Sequence, residues 1–336
     1  MKTTLLTLIL VVAFNFGFAQ QKVALESAGT TTIFGGASPF ADAYAAAIDG
    51  DILYLPGITF PGFVIDKSIT IIGTGHYPSA TEATNATIIS GGVTINENAD
   101  GLHLEGIEFT SQLNFGANQE ISNVTIKRCK LTDISFNGTL GNGNQCTNIY
   151  IIENIITGTL AMNNLSSSIV SNNIINGPLY NGTNILINNN ILLFPYENYY
   201  TFNNNDNCLI SNNLVLEPGS IQISCEMSTF TKNVFKSSIP ATGNNTFVDN
   251  YYDVDYSNVF VNQSGSAFDY TNDYHLVAPD TYLGTDGTQV GIYGGVFVFK
   301  DLSIPSNPHI TFKSVGSQTN AAGELPIQIT VEAQNN

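Results

Sequence analysis

The chain has 336 residues, of which 10 are Lys or Arg and 27 are Asp or Glu, for a formal net charge of −17. Such a surface repels polyanions, which argues against nucleic acid and, less decisively, against acidic polysaccharides as partners. Apolar residues make up 43% of the chain, enough to build a core and too many for a disordered protein.

The first residues, M-K-T-T-L-L-T-L-I-L-V-V-A-F-N-F-G-F-A, carry one Lys, an apolar run and small residues at Gly17 and Ala19. This pattern reads as a cleavable secretory signal over 1–19, cut near Ala19/Gln20, and loss of Lys2 takes the formal charge to −18. No Cys follows the cut and no later segment is apolar enough to span a bilayer, so a secreted or periplasmic protein is expected. The body then divides into 20–300, a single solenoid with its cap, and 301–336, a strand pair or tail. At 38–48, S-P-F-A-D-A-Y-A-A-A-I, Ser38 is a good N-cap and Pro39 suits the first helical turn. The alanines favour helix until Gly50, giving an N-terminal capping helix that shields the otherwise open strand edges of a solenoid.

Between 123 and 252 one nine-residue pattern recurs, read as N-V-T-I-K-R-C-K-L from Asn123, N-I-Y-I-I-E-N-I-I from Asn148 and N-I-L-I-N-N-N-I-L from Asn184. Its seventh position holds Cys129, Asn154, Asn173, Asn190, Asn213, Asn233 and Asn250. A period of about 20 residues, rich in β-branched side chains, predicts a solenoid that winds one coil per repeat from short strands. Alternation such as Ile149/Ile151 and Ile185/Ile187 places every second side chain inside. The polar pair at positions six and seven, as in Asn172-Asn173, predicts a corner, because Asn tolerates left-handed backbone. Coils stacked about 4.8 Å apart would let the seventh-position amides bond up and down a ladder. Position six carries Arg128, Glu153, Lys232 and Asp249, for which cross-coil ion pairs at the surface are expected.

At this point the chain resembles the right-handed parallel β-helix proteins of the pectin-lyase-like superfamily. Residues 50–75, G-D-I-L-Y-L-P-G-I-T-F-P-G-F-V-I-D-K-S-I-T-I-I-G-T-G, are similar to the family's first coils. The stretch G-T-D-G-T-Q-V-G-I-Y-G-G at 284–295 is similar to a closing coil. The fold class expected is therefore all-β: a right-handed parallel β-helix of roughly nine to eleven coils, with the N-terminal helix and a C-terminal β-hairpin cover from about 309 to 333. The resemblance is specific for fold, since this superfamily hosts lyases, hydrolases, esterases and adhesins.

In family enzymes catalytic groups lie on the first sheet of each coil. The corresponding strands here, placed at 133–136, 159–162, 178–181, 200–203, 220–224 and 238–241, offer hydroxyls, amides and Tyr, with Asp133 their one carboxylate. Glycoside hydrolysis needs two carboxylates across the sugar bond. The preferred reading is therefore a non-catalytic protein that binds a polysaccharide or cell-surface glycan. The loop P-Y-E-N-Y-Y offers Tyr196, Glu197, Tyr199 and Tyr200 as binding residues that stack on sugar faces. The alternative is a polysaccharide lyase or glycoside hydrolase with a diverged site near Lys127, Arg128, Lys130, Asp133 and Glu153. No cofactor is expected. Calcium at Tyr251, Tyr252, Asp253, Asp255 and Tyr256, with Asp206 and Glu226, would lack the D-x-D-x-D-G loop. Four cysteines, Cys129, Cys146, Cys208 and Cys225, admit three complete pairings, although their positions in the repeat suit buried free thiols.

Overall fold

The computed structural model describes residues 21–141, 143–194, 199–216, 222–238 and 243–333. Short strands stack in parallel into three long sheets. Sheet A has 12 strands, sheet B nine and sheet C eight. Each coil contributes the repeat's third to fifth residues to sheet A and its eighth and ninth to sheet B, and the stretch before the next repeat goes to sheet C. Thus Thr125–Lys127, Lys130–Leu131 and Ile134–Phe136 belong to one coil, and Tyr150–Ile152, Ile155–Ile156 and Leu160–Ala161 to the next. The solenoid is a parallel β-helix of about nine coils.

Two left-handed residues per coil explain why the repeat is spelled as it is. Position six, from Arg128 to Asp249, has φ between 48° and 58° in all seven repeats. Position one does the same at Asn123, Asn148, Ser167, Asn184, Asn207 and Met227. Left-handed backbone costs a residue with a Cβ roughly 1–2 kcal/mol, least for Asn, which is why Asn fills most of position one and is the commonest residue at position six.

Position seven then points inward and builds the ladder. Asn190 Oδ1 accepts from the Asn173 backbone N–H at 2.9 Å and from Asn173 Nδ2 at 3.0 Å. Its own Nδ2 donates to Val170 O at 2.9 Å and to Asn213 Oδ1 at 3.0 Å. The same contacts repeat through Asn154, Asn173, Asn213 and Asn233, and Asn250 closes the run by serving Asn233 N and Phe230 O. Cys129 is the terminal rung: its N–H is held by Asn154 Oδ1 at 2.9 Å. A second, partial ladder runs along position two, where Ser168 Oγ serves Ile149 N, Ser228 Oγ serves Cys208 N and Asn245 Oδ1 serves Ser228 N. The rest of the interior is apolar and stacks coil on coil, as in Phe115 over Phe136 with centroids 4.1 Å apart and Phe230 over Phe247 at 4.9 Å.

The coils begin before Asn123. Gly101-Leu102-His103-Leu104-Glu105-Gly106-Ile107-Glu108-Phe109 pairs in register with the first recognised repeat, His103 against Thr125 and Glu108 against Lys130. It carries Ile107 where a ladder Asn would identify it. Earlier still, buried Thr87 stands in for that Asn, its Oγ1 donating to Pro56 O at 3.0 Å.

The N-terminal end is closed by the helix Pro39–Ala46, whose Phe40 and Ala43 are buried. Ser38 holds the N-cap position without a side-chain hydrogen bond, and the helix stops short of Ile48. Lys67 Nζ caps its end, donating to Tyr44 O at 2.7 Å and Ala47 O at 2.8 Å. An antiparallel pair, Lys22–Ser27 and Thr30–Gly35, extends sheet A past the first coil, with Leu25 against Leu53.

Residues 284–295 differ from the expectation of a closing coil. After Thr246–Val248 the chain turns back, and 253–306 runs as a strap over the outer face of sheet B. The reason is the apolar outer column Ile155, Ile174, Ile191, Leu214 and Val234, which is buried under Val259, Phe260, Leu276, Val290 and Ile292. Position six supplies the seats. Asn172 Nδ2 donates to Ile292 O at 2.8 Å and Gly294 O at 2.7 Å, Asn189 Nδ2 to Gly291 O at 3.3 Å, and Asn212 Oδ1 accepts from Thr285 N at 2.9 Å. The strap therefore delivers the C-terminal hairpin, His309–Val315 with Ile327–Glu332, to the flank of the first coils. Its strands are largely exposed, including Val315, Ile327, Ile329 and Val331.

Candidate functional site

Sheet C presents outward one residue per strand, in register from coil to coil: the apolar Val64 first, then Thr94, Asn114, Ser135, Ala161, Tyr180, Asn203 and Ser224. This column carries no charge. Beside it the next corner carries a surface row of amides. Asn137 Nδ2 donates to Asn114 Oδ1 at 3.3 Å, Asn181 Nδ2 to Asn163 Oδ1 at 2.6 Å, and Asn204 Nδ2 to Asn181 Oδ1 at 3.2 Å. Asn181 and Asn204 again take left-handed φ, 58° and 53°. Above them a cleft of about 360 Å³ is lined by Asn163, Asn181, Asn204, Thr183, Thr139 and Asp206, among others. Asn181 gives one donor and one acceptor to its neighbours, Asn137 also donates to Phe115 O at 3.1 Å and Asn204 also accepts from Ser224 Oγ at 3.3 Å, and a primary amide has further donor and acceptor capacity to offer a ligand. The spacing is that of the coils, about 4.8 Å.

The expected strands of sheet C are where the sequence put them from 133 to 224, while 239–242 lies outside the described residues. Of the loop residues, Tyr196 and Glu197 fall outside the described residues; Tyr199 is 61% and Tyr200 43% exposed, with Tyr200 opening a sheet C strand. Asp133 is committed to structure, its Oδ1 accepting from Thr159 N at 2.6 Å.

The residues considered for a diverged catalytic site are divided among different places. Lys130 pairs with Glu108 at 3.0 Å on the sheet B side. Arg128 and Lys127 join Glu153 at 2.7 Å and 3.4 Å, and Arg128 also reaches Glu105 at 3.4 Å. These are not surface pairs as expected. The Glu105 and Glu153 side chains are only 2% and 4% exposed, because the strap's end covers them. Arg128 Nη1 donates to Ile304 O at 3.0 Å, and Glu105 Oε1 accepts from Ser306 N at 3.0 Å and Oγ at 2.8 Å. Burial pushes the Glu105 carboxyl up, but bonds from His103 and Ser306, with Lys127 nearby, outweigh it and hold it below its ordinary value. Lys232 and Asp249 pair at 3.6 Å at the surface, as expected.

The groups weighed for calcium do not converge. Asp255 caps a 3-10 turn through Ser257 N, half-buried Tyr256 donates to Val234 O at 2.9 Å, and Asp206 accepts from Glu226 N at 2.8 Å. Among the described residues no group of three or more His, Cys, Asp or Glu is arranged to hold a metal. The four cysteines are buried and free, and burial pushes the thiols of Cys129, Cys146 and Cys225 up to about 12 and that of Cys208 to about 11.

A further cleft escaped the sequence altogether. It lies on the strap, between Tyr270, His275 and Tyr293, with Asp273 and Asp301 at its rim. The alternation in D-Y-H-L at 273–276 marked a strand there, Asp273–Leu276, but gave no sign that Tyr293 and Asp301 would fold beside it.

Stacked coils, two left-handed corners per turn and an internal amide ladder define a parallel β-helix protein. Searches against family models, curated proteins and solved structures found no match for the chain. No helix among the described residues is long and apolar enough to cross a membrane.

Proposed function

We propose that this is an exported protein of the pectin-lyase-like kind that binds a neutral polysaccharide along sheet C without cleaving it. The observation that carries the reading is the outer column from Thr94 to Ser224, uncharged over successive coils and polar at every position but Ala161, with the amide row at its edge. Hydroxyl-rich, uncharged chains match such a face: amides both donate and accept, and Tyr180, Tyr199 and Tyr200 supply rings for sugar faces. Acidic glycans would meet a net charge of −17 with no cation in that column. Hydrolysis would call for two facing carboxylates, and Asp133 is already engaged. The apolar leader supports export.

Affinity electrophoresis of the mature protein in gels containing xylan, mannan, β-glucan, pectate or alginate tests this. Retardation by a neutral gel is expected, weakened by Asn181→Ala with Asn204→Ala, and with no reducing ends released. Retardation by the acidic gels alone, or release of products, would refute it.

A further inference from the structure

The cleft on the strap has a chemistry unlike that of sheet C. Its volume is about 270 Å³, with Tyr77, Tyr274 and Phe299 buried in its floor and Tyr270 and Tyr293 at its sides. Tyr270 meets Tyr77 edge-on at 4.7 Å, and His275 stacks flat on Tyr293 at 3.8 Å and 13°. Around this aromatic lining the carboxylates and the imidazole offer acceptors, while the Asn272 Nδ2 donor is spent on Ser264 O at 3.3 Å and Tyr274 Oη at 3.2 Å. His275 Nδ1 lies 2.7 Å from Asp273 Oδ1, and a carboxylate can only accept, so the ring proton sits on Nδ1 and neutral His275 offers a bare Nε2. Asp301 Oδ2 lies 3.9 Å from that Nε2, while its Oδ1 accepts from Tyr293 Oη at 2.8 Å. The backbone N–H of His275, the largest influence, also bonds Asp273 and, against slight burial, holds its carboxyl below the ordinary range. Asp273 therefore stays ionised at neutral pH. Behind the cleft wall Lys130 lies 5.0 Å over the Tyr270 ring and is already paired with Glu108 at 3.0 Å.

We infer that this cleft is a second binding site, separate from sheet C, for a ligand that carries a protonated amine on a compact ring, chemically an amino sugar. An ammonium brings three donors and no acceptor, which is what Asp301, Asp273 and His275 Nε2 lack and can receive. Aromatic faces add attraction for the same cation and a platform for the ring. A neutral sugar would use the platform and leave the two carboxylates uncompensated, and an N-acetylated one would bring no charge.

Isothermal titration of the full mature chain with the β-1,4 trimers of glucosamine, N-acetylglucosamine and glucose tests the proposal. The glucosamine trimer should bind at least about tenfold more tightly than the other two, a difference of ~1.4 kcal/mol. Asp273→Asn with Asp301→Asn, both at exposed side chains, should abolish that preference. Because any polycation is drawn to a strongly acidic chain, Glu97→Gln with Glu120→Gln, the same charge change on exposed residues elsewhere, is the control and should bind as wild type. Equal affinity for the three trimers, no binding of the glucosamine trimer, or equal loss in both double variants would overturn the proposal. None of these outcomes bears on the neutral-glycan gels, which report on sheet C.

Discussion

Replacing Asn190 by Leu keeps the branched shape of the side chain, with somewhat more bulk, and removes the amide from the middle of the ladder. Two backbone groups lose the partner that Asn190 gives them: the Asn173 N–H at 2.9 Å and the Val170 carbonyl at 2.9 Å. Both the Asn190 and Asn173 side chains are 0% exposed, so water cannot substitute. Leaving a buried donor or acceptor unsatisfied costs roughly 1–3 kcal/mol each, so the pair costs roughly 2–6 kcal/mol, a large part of the 5–15 kcal/mol typical of a folded domain. Asn250→Leu removes the same two kinds of bond, to Asn233 N and Phe230 O, but at a partly exposed rung that water can reach, and should cost about 1 kcal/mol. Because solenoids couple mainly between neighbouring coils, the comparison is best made locally. Hydrogen exchange should accelerate at Asn173 in the first variant by at least about thirtyfold, the equivalent of ~2 kcal/mol. Urea midpoints should fall in the same order. If the two variants lose the same stability, or exchange at Asn173 is unchanged, the ladder is ornamental to the energetics and the reasoning fails.

Gly106→Ala should cost roughly 1–3 kcal/mol, because the residue has φ +70° and a Cβ there would collide with the Pro305 ring, whereas Gly92→Ala, with open space around it, should be neutral in thermal melts. The Glu105 carboxyl is held below its ordinary value of 4.5 in the folded chain, so its contribution is complete above that pH and is lost as pH falls through the lower, folded value. Limited proteolysis between strap and hairpin should therefore accelerate on acidification below about pH 4.5, and Glu105→Gln should be cut quickly even at neutral pH. Arg128→Met should destabilise by roughly 1–3 kcal/mol, as read by urea unfolding, since it removes the guanidinium between Glu105 and Glu153 while Lys127, His103 and Ser306 remain as partners. All four thiols should resist iodoacetamide at pH 8 in the folded chain and react together in urea, since burial keeps them protonated.

The coil pattern was legible because one geometric demand repeats: every turn needs a left-handed corner and, next to it, an inward amide. Asn satisfies both demands, so the columns could be read from Cys129 to Asn250 without structure. The earlier coils were harder to see because Thr87 and Ile107 occupy the ladder position there. The strap was illegible for a different reason. Its contacts are made by Asn172, Asn189 and Asn212, whose presence the corner already explains, so nothing in the repeat marks them as seats for a distant segment.

Position six thus serves two functions. Its backbone turns the coil, and its side chain, projecting outward from the corner, seats the returning chain through Arg128, Asn172, Asn189 and Asn212. The same economy explains Gly106, which both turns and makes room for Pro305. It also explains why Arg128 and Glu153 were read as surface charges: nothing in a repeat tells which of its faces a distant segment will cover. Ile155, Ile174, Ile191, Leu214 and Val234 held the missing signal. These residues point out of the solenoid at position eight, and an aliphatic row of that length on an outer face requires a cover. Apolar sequence that supplies it lies after 252, in Val259, Phe260, Leu276, Val290 and Ile292. That inference is available from the alternation alone, once both the eighth and ninth positions of the repeat are seen to be apolar.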